Sequence, residues 1–304
     1  VAIAEPEIAV EDDATLQCTP RGQVAAIEGT KTVFEFTRES SLAFSKRREP
    51  LAGDSLLNAV RRALRLDLPN ADAKPPHYRV WRYLVSRDYP SPHAVSYTVE
   101  TEPGIAAIVY RLTEERWHSR PPKAGKSCLL YVADRSSDAE LRDEPMLREL
   151  IASDPKLPVF TCDVRGTGES QPETSQPDSF DSPYGTDYFY AIHSLMLDRP
   201  YVGQKTWDVL RVLHWLDSLG HSEVHLVGRG RGAVAATFAA LFAKNVAKIT
   251  LKDSLESYAS IAESEDYDWP LSTFVPNVLA SFDLPDCYRE LESKNLSRLP
   301  RETP

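Results

Sequence analysis

Apolar residues recur in two rhythms along this chain, and the change from one to the other marks where its fold is built. Residues 78–85 and 95–99 alternate apolar with polar, as half-buried antiparallel strands do, and residues 105–112 give a third such segment. Residues 128–132 (C-L-L-Y-V), 159–164 (V-F-T-C-D-V), 224–227 and 247–251 are short continuous apolar runs. That is the pattern of strands buried on both faces of a parallel sheet, and these four are expected to be its central neighbours. Between them the period lengthens. Residues 140–152 and 233–244 read as helices, and 207–219 places Val209, Val212, Leu213, Leu216 and Leu219 on one face, with Gly220 as its stop. Strands alternating with helices predict an α/β fold: a mostly parallel sheet with helices on both faces.

The first 70 residues read differently. They run from acidic through polar to basic at Lys46-Arg47-Arg48, and are expected to form an arm or linker with one strand, at 32–36, and one helix, at 55–66. The helix carries Leu56, Ala59, Val60, Ala63 and Leu64 at helical spacing, with Asp54 or Ser55 as its N-cap. Residues 1–50 are too polar to form a core alone. They should run across the main domain or tether it to a neighbour, with 32–36 docking as a strand or extended arm. Pro69, Pro75 and Pro76 then break the chain, and the main domain is placed at 71–304. Within it, 171–205 is an insertion of the length used for lids and binding loops. Its rings, Tyr184, Tyr188, Phe189, Tyr190 and Tyr201, suit either stacking on sugars or a local core that holds the insertion down.

Composition narrows the function classes. A formal net charge of -10 over 304 residues argues against nucleic acid, whose phosphates need a basic footprint. No apolar run is long enough to cross a bilayer as a helix. Cys18, Cys128, Cys162 and Cys287 are scattered without metal-ligand spacing, so no zinc is expected, and Cys128 and Cys162 read as buried thiols inside strands. No other metal and no cofactor is called for. The chain opens on Val1, which reads as an excised or processed piece of a longer protein.

Two motifs carry the candidate chemistry. The first is Gly228-Arg229-Gly230-Arg231-Gly232, set between a buried strand and an apolar helix. The second is Asp163-Val164-Arg165-Gly166-Thr167-Gly168-Glu169-Ser170 at the end of another strand. The second is similar to the D-x-R-G-x-G-x-S turn after the fourth strand of α/β-hydrolases, and the first resembles their nucleophile elbow, G-x-S-x-G. Phe282-Asp283-Leu284-Pro285-Asp286 looks like the D-L-P-D step of bacterial acetyl-xylan-esterase-like hydrolases. The resemblance covers roughly residues 78–300 and implies the α/β-hydrolase fold. The esterase resemblance also favours an extracytoplasmic location.

The family's catalytic residues do not carry over. Gly230 stands where the resemblance requires serine, and no histidine follows His225. The segment after Gly230 is short for the family's last strands. Residues 133–137 (A-D-R-S-S) take the place of the oxyanion loop without its H-G-G-G pattern. No catalytic residue is therefore assigned. His77, His93, His118, His193, His214, His221 and His225 read as structural. Gly228, Arg229, Gly230, Arg231 and Gly232 remain candidates for an anion site, since a glycine-rich turn at a helix N-terminus presents backbone N–H groups. The alternative is that the two arginines pair with acids such as Asp163 or Asp253. Arg135, Ser136, Tyr184, Tyr188 and Tyr190 are candidate ligand contacts.

Three functions are compatible with this reading. One is a degenerate, inactive hydrolase-like domain of carbohydrate-esterase type with an accessory, assembly or ligand-binding role. Its partners would be an upstream active hydrolase unit, a second copy, or a carbohydrate. Another is an active carboxylesterase acting on acylated polysaccharide. The third is dinucleotide binding, because Gly228, Gly230 and Ala233 satisfy G-x-G-x-x-A and Asp253 follows at the end of another strand.

Overall fold

The computed structural model describes residues 8–67, 74–116, 119–122, 125–172 and 180–300. Pro69 and His118 lie outside them. Eight strands form one sheet: β1 (Tyr78–Val85), β2 (His93–Glu102), β3 (Ile105–Thr113), β4 (Ser127–Val132), β5 (Val159–Asp163), β6 (Glu223–Arg229), β7 (Val246–Lys252) and β8 (Leu296–Leu299). Their spatial order is β1-β2-β3-β5-β4-β6-β7-β8. The first three strands form an antiparallel meander joined antiparallel to β5, and every pairing from β5 to β8 is parallel. The four apolar runs are indeed central neighbours.

Ten helices accompany the sheet among the described residues: α1 (Asp13–Leu16), α2 (Val33–Arg47), α3 (Gly53–Ala63), α4 (Ser137–Asp143), α5 (Pro145–Ser153), α6 (Thr186–Met196), α7 (Tyr201–Ser218), α8 (Gly230–Phe242), α9 (Tyr258–Ala262) and α10 (Leu284–Leu291). Because strand side chains alternate, β4, β5 and β6 each feed two cores. Cys128, Leu130 and Val132 of β4 join a large cluster with residues of α3, α7, α8 and α10. Leu129 and Tyr131 face the opposite way, into a smaller cluster under α4 and α5. Cys128, Cys162 and Cys287 are buried free thiols, as strand and helix interiors favour, and Cys18 is exposed.

Three local expectations need correction. Residues 32–36 are not a strand but the start of α2. Thr32 is its N-cap: its Oγ1 accepts from the Glu35 N–H while the Glu35 carboxylate accepts from the Thr32 N–H. This T-x-x-E capping box satisfies two backbone donors at once and outweighs the strand preference of Val33, Phe34 and Phe36. The arm therefore docks as a helix, through Ser41 Oγ donating to Glu263 (2.7 Å) and the Arg48 guanidinium donating to the Leu279 carbonyl (2.8 Å). The second correction concerns 55–66, where α3 starts earlier, with Ala52 as N-cap rather than Asp54 or Ser55. Finally, 140–152 is two helices. Pro145 opens α5 with Glu144 as its cap, and proline's missing N–H fits a first turn but not a helix interior.

Candidate functional site

The glycine-rich turn lies at the carboxyl end of β6, where open α/β sheets place their sites. β6 ends at Arg229 and α8 begins at Gly230, whose φ of +51° is a left-handed conformation that side chains rarely adopt. A Cβ on Gly232 would come 2.4 Å from the Val132 carbonyl oxygen, so α8 starts hard against β4. A Cβ on Gly230 would lie 2.5 Å from Asp134 Oδ1. The tip of the turn is thus covered by a carboxylate.

Asp134 belongs to the loop after β4, and sequence reasoning missed its part. Its Oδ1 accepts from the Arg231 backbone N–H (2.9 Å) and from Arg231 Nε (3.3 Å). The far end of Arg231 pairs with Asp181 of the insertion, at 2.5 Å. Burial works against the Arg231 charge, but Asp181 and Asp134 more than restore it and raise its pKa. Arg229 lies 3.1 Å from both Glu144 and Asp253. Lys252 reaches Glu144 at 2.9 Å. The signal available in the sequence was an acid in the loop opposite two arginines.

The other donors of the β4 loop are also taken. Glu140 accepts from the backbone N–H groups of Asp134 (3.2 Å), Arg135 (2.8 Å) and Ser136 (3.2 Å), and from the Tyr131 hydroxyl. Ser136 is the N-cap of α4, accepting from Ala139 N–H, while the Arg135 side chain is largely exposed. Asp253, the ribose-binding acid in the dinucleotide reading, instead holds Arg229. The G-x-G-x-x-A turn also follows the third parallel strand in chain order rather than the first, which is where such sites sit.

Each chemically distinctive residue of the second motif is engaged in holding the fold. Asp163, fully buried, accepts from the Ser137 N–H (2.7 Å) at the start of α4 and from the Glu169 N–H (3.0 Å). Burial, aided by Glu140 and Asp138 and opposed by the Ser137 hydrogen bonds, pushes its pKa up to about 7. Arg165 donates to Asp208 on α7 through Nε (2.8 Å) and Nη2, and to Glu102 and Gln204. Ser170 Oγ accepts from Ile108 N–H and donates to the Ala106 carbonyl, both at 3.0 Å, stitching the turn to β3. Gly168 leaves room for Asp163, whose Oδ2 would sit 2.2 Å from a Cβ there. The D-L-P-D step is a cap as well: Asp283 begins α10 and also accepts from the Tyr258 and Ala259 N–H groups at the start of α9.

The tyrosines of the insertion gather around α6. Tyr184 packs edge-on to Tyr188, with ring centroids 4.9 Å apart, and Tyr190 stacks on Tyr201 at 6.0 Å. Tyr184 is 73% exposed and Tyr190 39%. The insertion meets the glycine turn through the Asp181–Arg231 ion pair. His225 is bonded to Thr250 (2.9 Å), and burial, then Lys248, lowers its pKa to about 4. Among the described residues, no group of three or more His, Cys, Asp or Glu could hold a metal.

The antiparallel meander, the interchange of β4 and β5, and the tight strand-turn-helix after the central parallel strand fix the architecture. The chain has an α/β-hydrolase fold. Solved structures agree. A candidate acetyl xylan esterase from Bacteroides fragilis superposes with a TM-score of 0.59 at 13% identity, over 93% of this chain and 75% of that one. A methylesterase superposes with a TM-score of 0.52 at 14% identity, over 89% and 64%. No protein-family model and no curated protein sequence matches the chain. The likeness is therefore one of acetyl-xylan-esterase-like architecture.

Proposed function

We propose that this chain is a catalytically silent α/β-hydrolase domain of carbohydrate-esterase type, serving assembly rather than turnover. The observation that carries the reading is the Asp134 carboxylate on the Arg231 backbone N–H, against Gly230. In an α/β-hydrolase the residue at the tip of the elbow attacks the ester, and the N–H of the next residue stabilises the oxyanion. Gly230 offers no attacking atom. The N–H that follows it already holds a negative oxygen, fixed by the chain itself. An ester oxygen developing charge there would meet a carboxylate instead of a free donor, so the stabilisation on which acyl transfer depends would be reversed.

The neighbouring donors support the same reading. The N–H groups of Asp134, Arg135 and Ser136, the second source of an oxyanion hole, are all bonded to Glu140. The elbow's geometry is kept while its functional atoms are spent on internal contacts, which is what a scaffold retained for its shape would look like. The test is turnover of p-nitrophenyl acetate by the purified chain. The expected rate is that of a buffer control containing an equal mass of an inert protein. A saturable rate that scales with enzyme concentration would overturn the proposal.

A further inference from the structure

We propose that two copies of this chain associate through the outer face of α6, packed antiparallel about a two-fold axis near His193. This deepens the assembly part of the proposed function and is independent of whether the elbow is silent. The body-facing side of α6 is settled: Asp187, Ala191 and Ser194 are buried, with Asp187 against Lys205 (3.5 Å) and Ser194 Oγ accepting from Gln204 (3.1 Å). The side centred on His193 is apolar and faces solvent, with Tyr190 at its edge against Tyr201. Phe189 is 51% exposed, Tyr190 39%, Met196 78% and Leu197 73%, with Tyr184 beside the helix start at 73%. Phe189, Tyr190, Met196 and Leu197 stand at i, i+1, i+7 and i+8 and flank His193 at i+4, so the helix carries an apolar stripe that its own domain leaves uncovered.

A second copy fits this surface for three reasons. The first is symmetry. A two-fold contact requires that if residue i meets j, then j meets i. About His193 the exposed residues are paired by spacing: Phe189 would meet the other copy's Leu197, and Tyr190 its Met196. The second is charge. Residues 189–197 (F-Y-A-I-H-S-L-M-L) contain no Asp, Glu, Lys or Arg, in a chain whose net charge is -10. Copies that repel elsewhere can approach there. The third is area. With a whole aromatic side chain contributing roughly 150–250 Å², the exposed parts of these residues and Leu195 amount to about 600 Å² per copy. Specific pairs bury about 800 Å² per partner, which leaves the remainder to a polar rim.

The test uses the whole chain with Cys18→Ser, which removes the exposed native thiol. Sedimentation velocity should show a dimer. Leu197→Asp, which sets a carboxylate against the other copy's Phe189, should weaken association at least 100-fold while circular dichroism stays unchanged. Val33→Asp, on the equally exposed start of α2, should leave association as it is. His193→Cys under mild oxidation should give a disulfide-linked dimer on non-reducing gels. A dimer that survives Leu197→Asp and is not cross-linked through position 193 would overturn the α6 contact and leave the assembly reading standing. A monomer at every concentration would overturn both.

Discussion

Replacing Gly230 with serine restores the elbow sequence and forces two conflicts at once. The first is backbone strain, since φ at Gly230 is +51° and a residue with a Cβ held there costs about 1–3 kcal/mol. The second is contact, because the new Cβ would lie 2.5 Å from Asp134 Oδ1. Asp134 would have to withdraw from the Arg231 N–H, at a cost of about 1–2 kcal/mol for a charge-assisted bond to a partly buried donor. Gly230→Ser should therefore lower the unfolding free energy by about 3 kcal/mol, read from the urea midpoint at constant m. In an Asp134→Ala background only the strain remains. The double-mutant cycle should show a coupling of about 1–2 kcal/mol, with the second serine substitution the milder one. Equal costs in both backgrounds would refute the claim that Asp134 occupies the elbow. Neither serine variant should hydrolyse p-nitrophenyl acetate.

Other perturbations follow from the same contacts. Asp208→Ala leaves the buried Arg165 guanidinium without its main partner and should cost about 3–5 kcal/mol in urea unfolding; a loss under 1 kcal/mol would show that Glu102 and Gln204 suffice. Arg231→Ala leaves Asp134 and Asp181 without their shared cation, and should lower thermal stability without changing sulfate binding measured by calorimetry. The opposite result, weaker sulfate binding at unchanged stability, would identify the turn as an anion site. Asp163 has a folded pKa near 7 against an ordinary value of 3.8, so the folded state holds its proton more tightly than the unfolded chain. Its contribution is fully present below about pH 4 and is lost as pH rises to 7. The stability difference between the native chain and Asp163→Asn should therefore fall between about pH 4 and 7, and a flat difference would contradict the burial argument.

The fold was legible because its signal is distributed. β4, β5, β6 and β7 are four apolar runs, each long enough to be read without knowing its neighbours, and α7 shows its buried stripe over four turns. The miss at residues 32–36 is instructive. Val33, Phe34 and Phe36 suggested a strand, but Thr32 and Glu35 fix the helix start through backbone donors that apolar periodicity does not register. Likewise Pro145 divided one expected helix into two. At the elbow, the missing serine was plain in Gly230. What replaced it was not, because Asp134 lies 97 positions upstream of Arg231 and meets it only when β4 and β6 pair. The Asp163 carboxylate, a candidate arginine partner in the sequence, serves the Ser137 and Glu169 N–H groups instead. Single residues that act across the sheet's edge are readable only once strand order is known.

The most direct test of a silent elbow is intact-mass analysis of the native chain after incubation with a fluorophosphonate, which forms a covalent adduct with an activated serine. A silent elbow leaves the mass unmodified at every time and concentration at which an active serine esterase is fully labelled. A stoichiometric adduct on one residue would contradict it, and the labelled position would place a working nucleophile where Gly230 and Asp134 leave none.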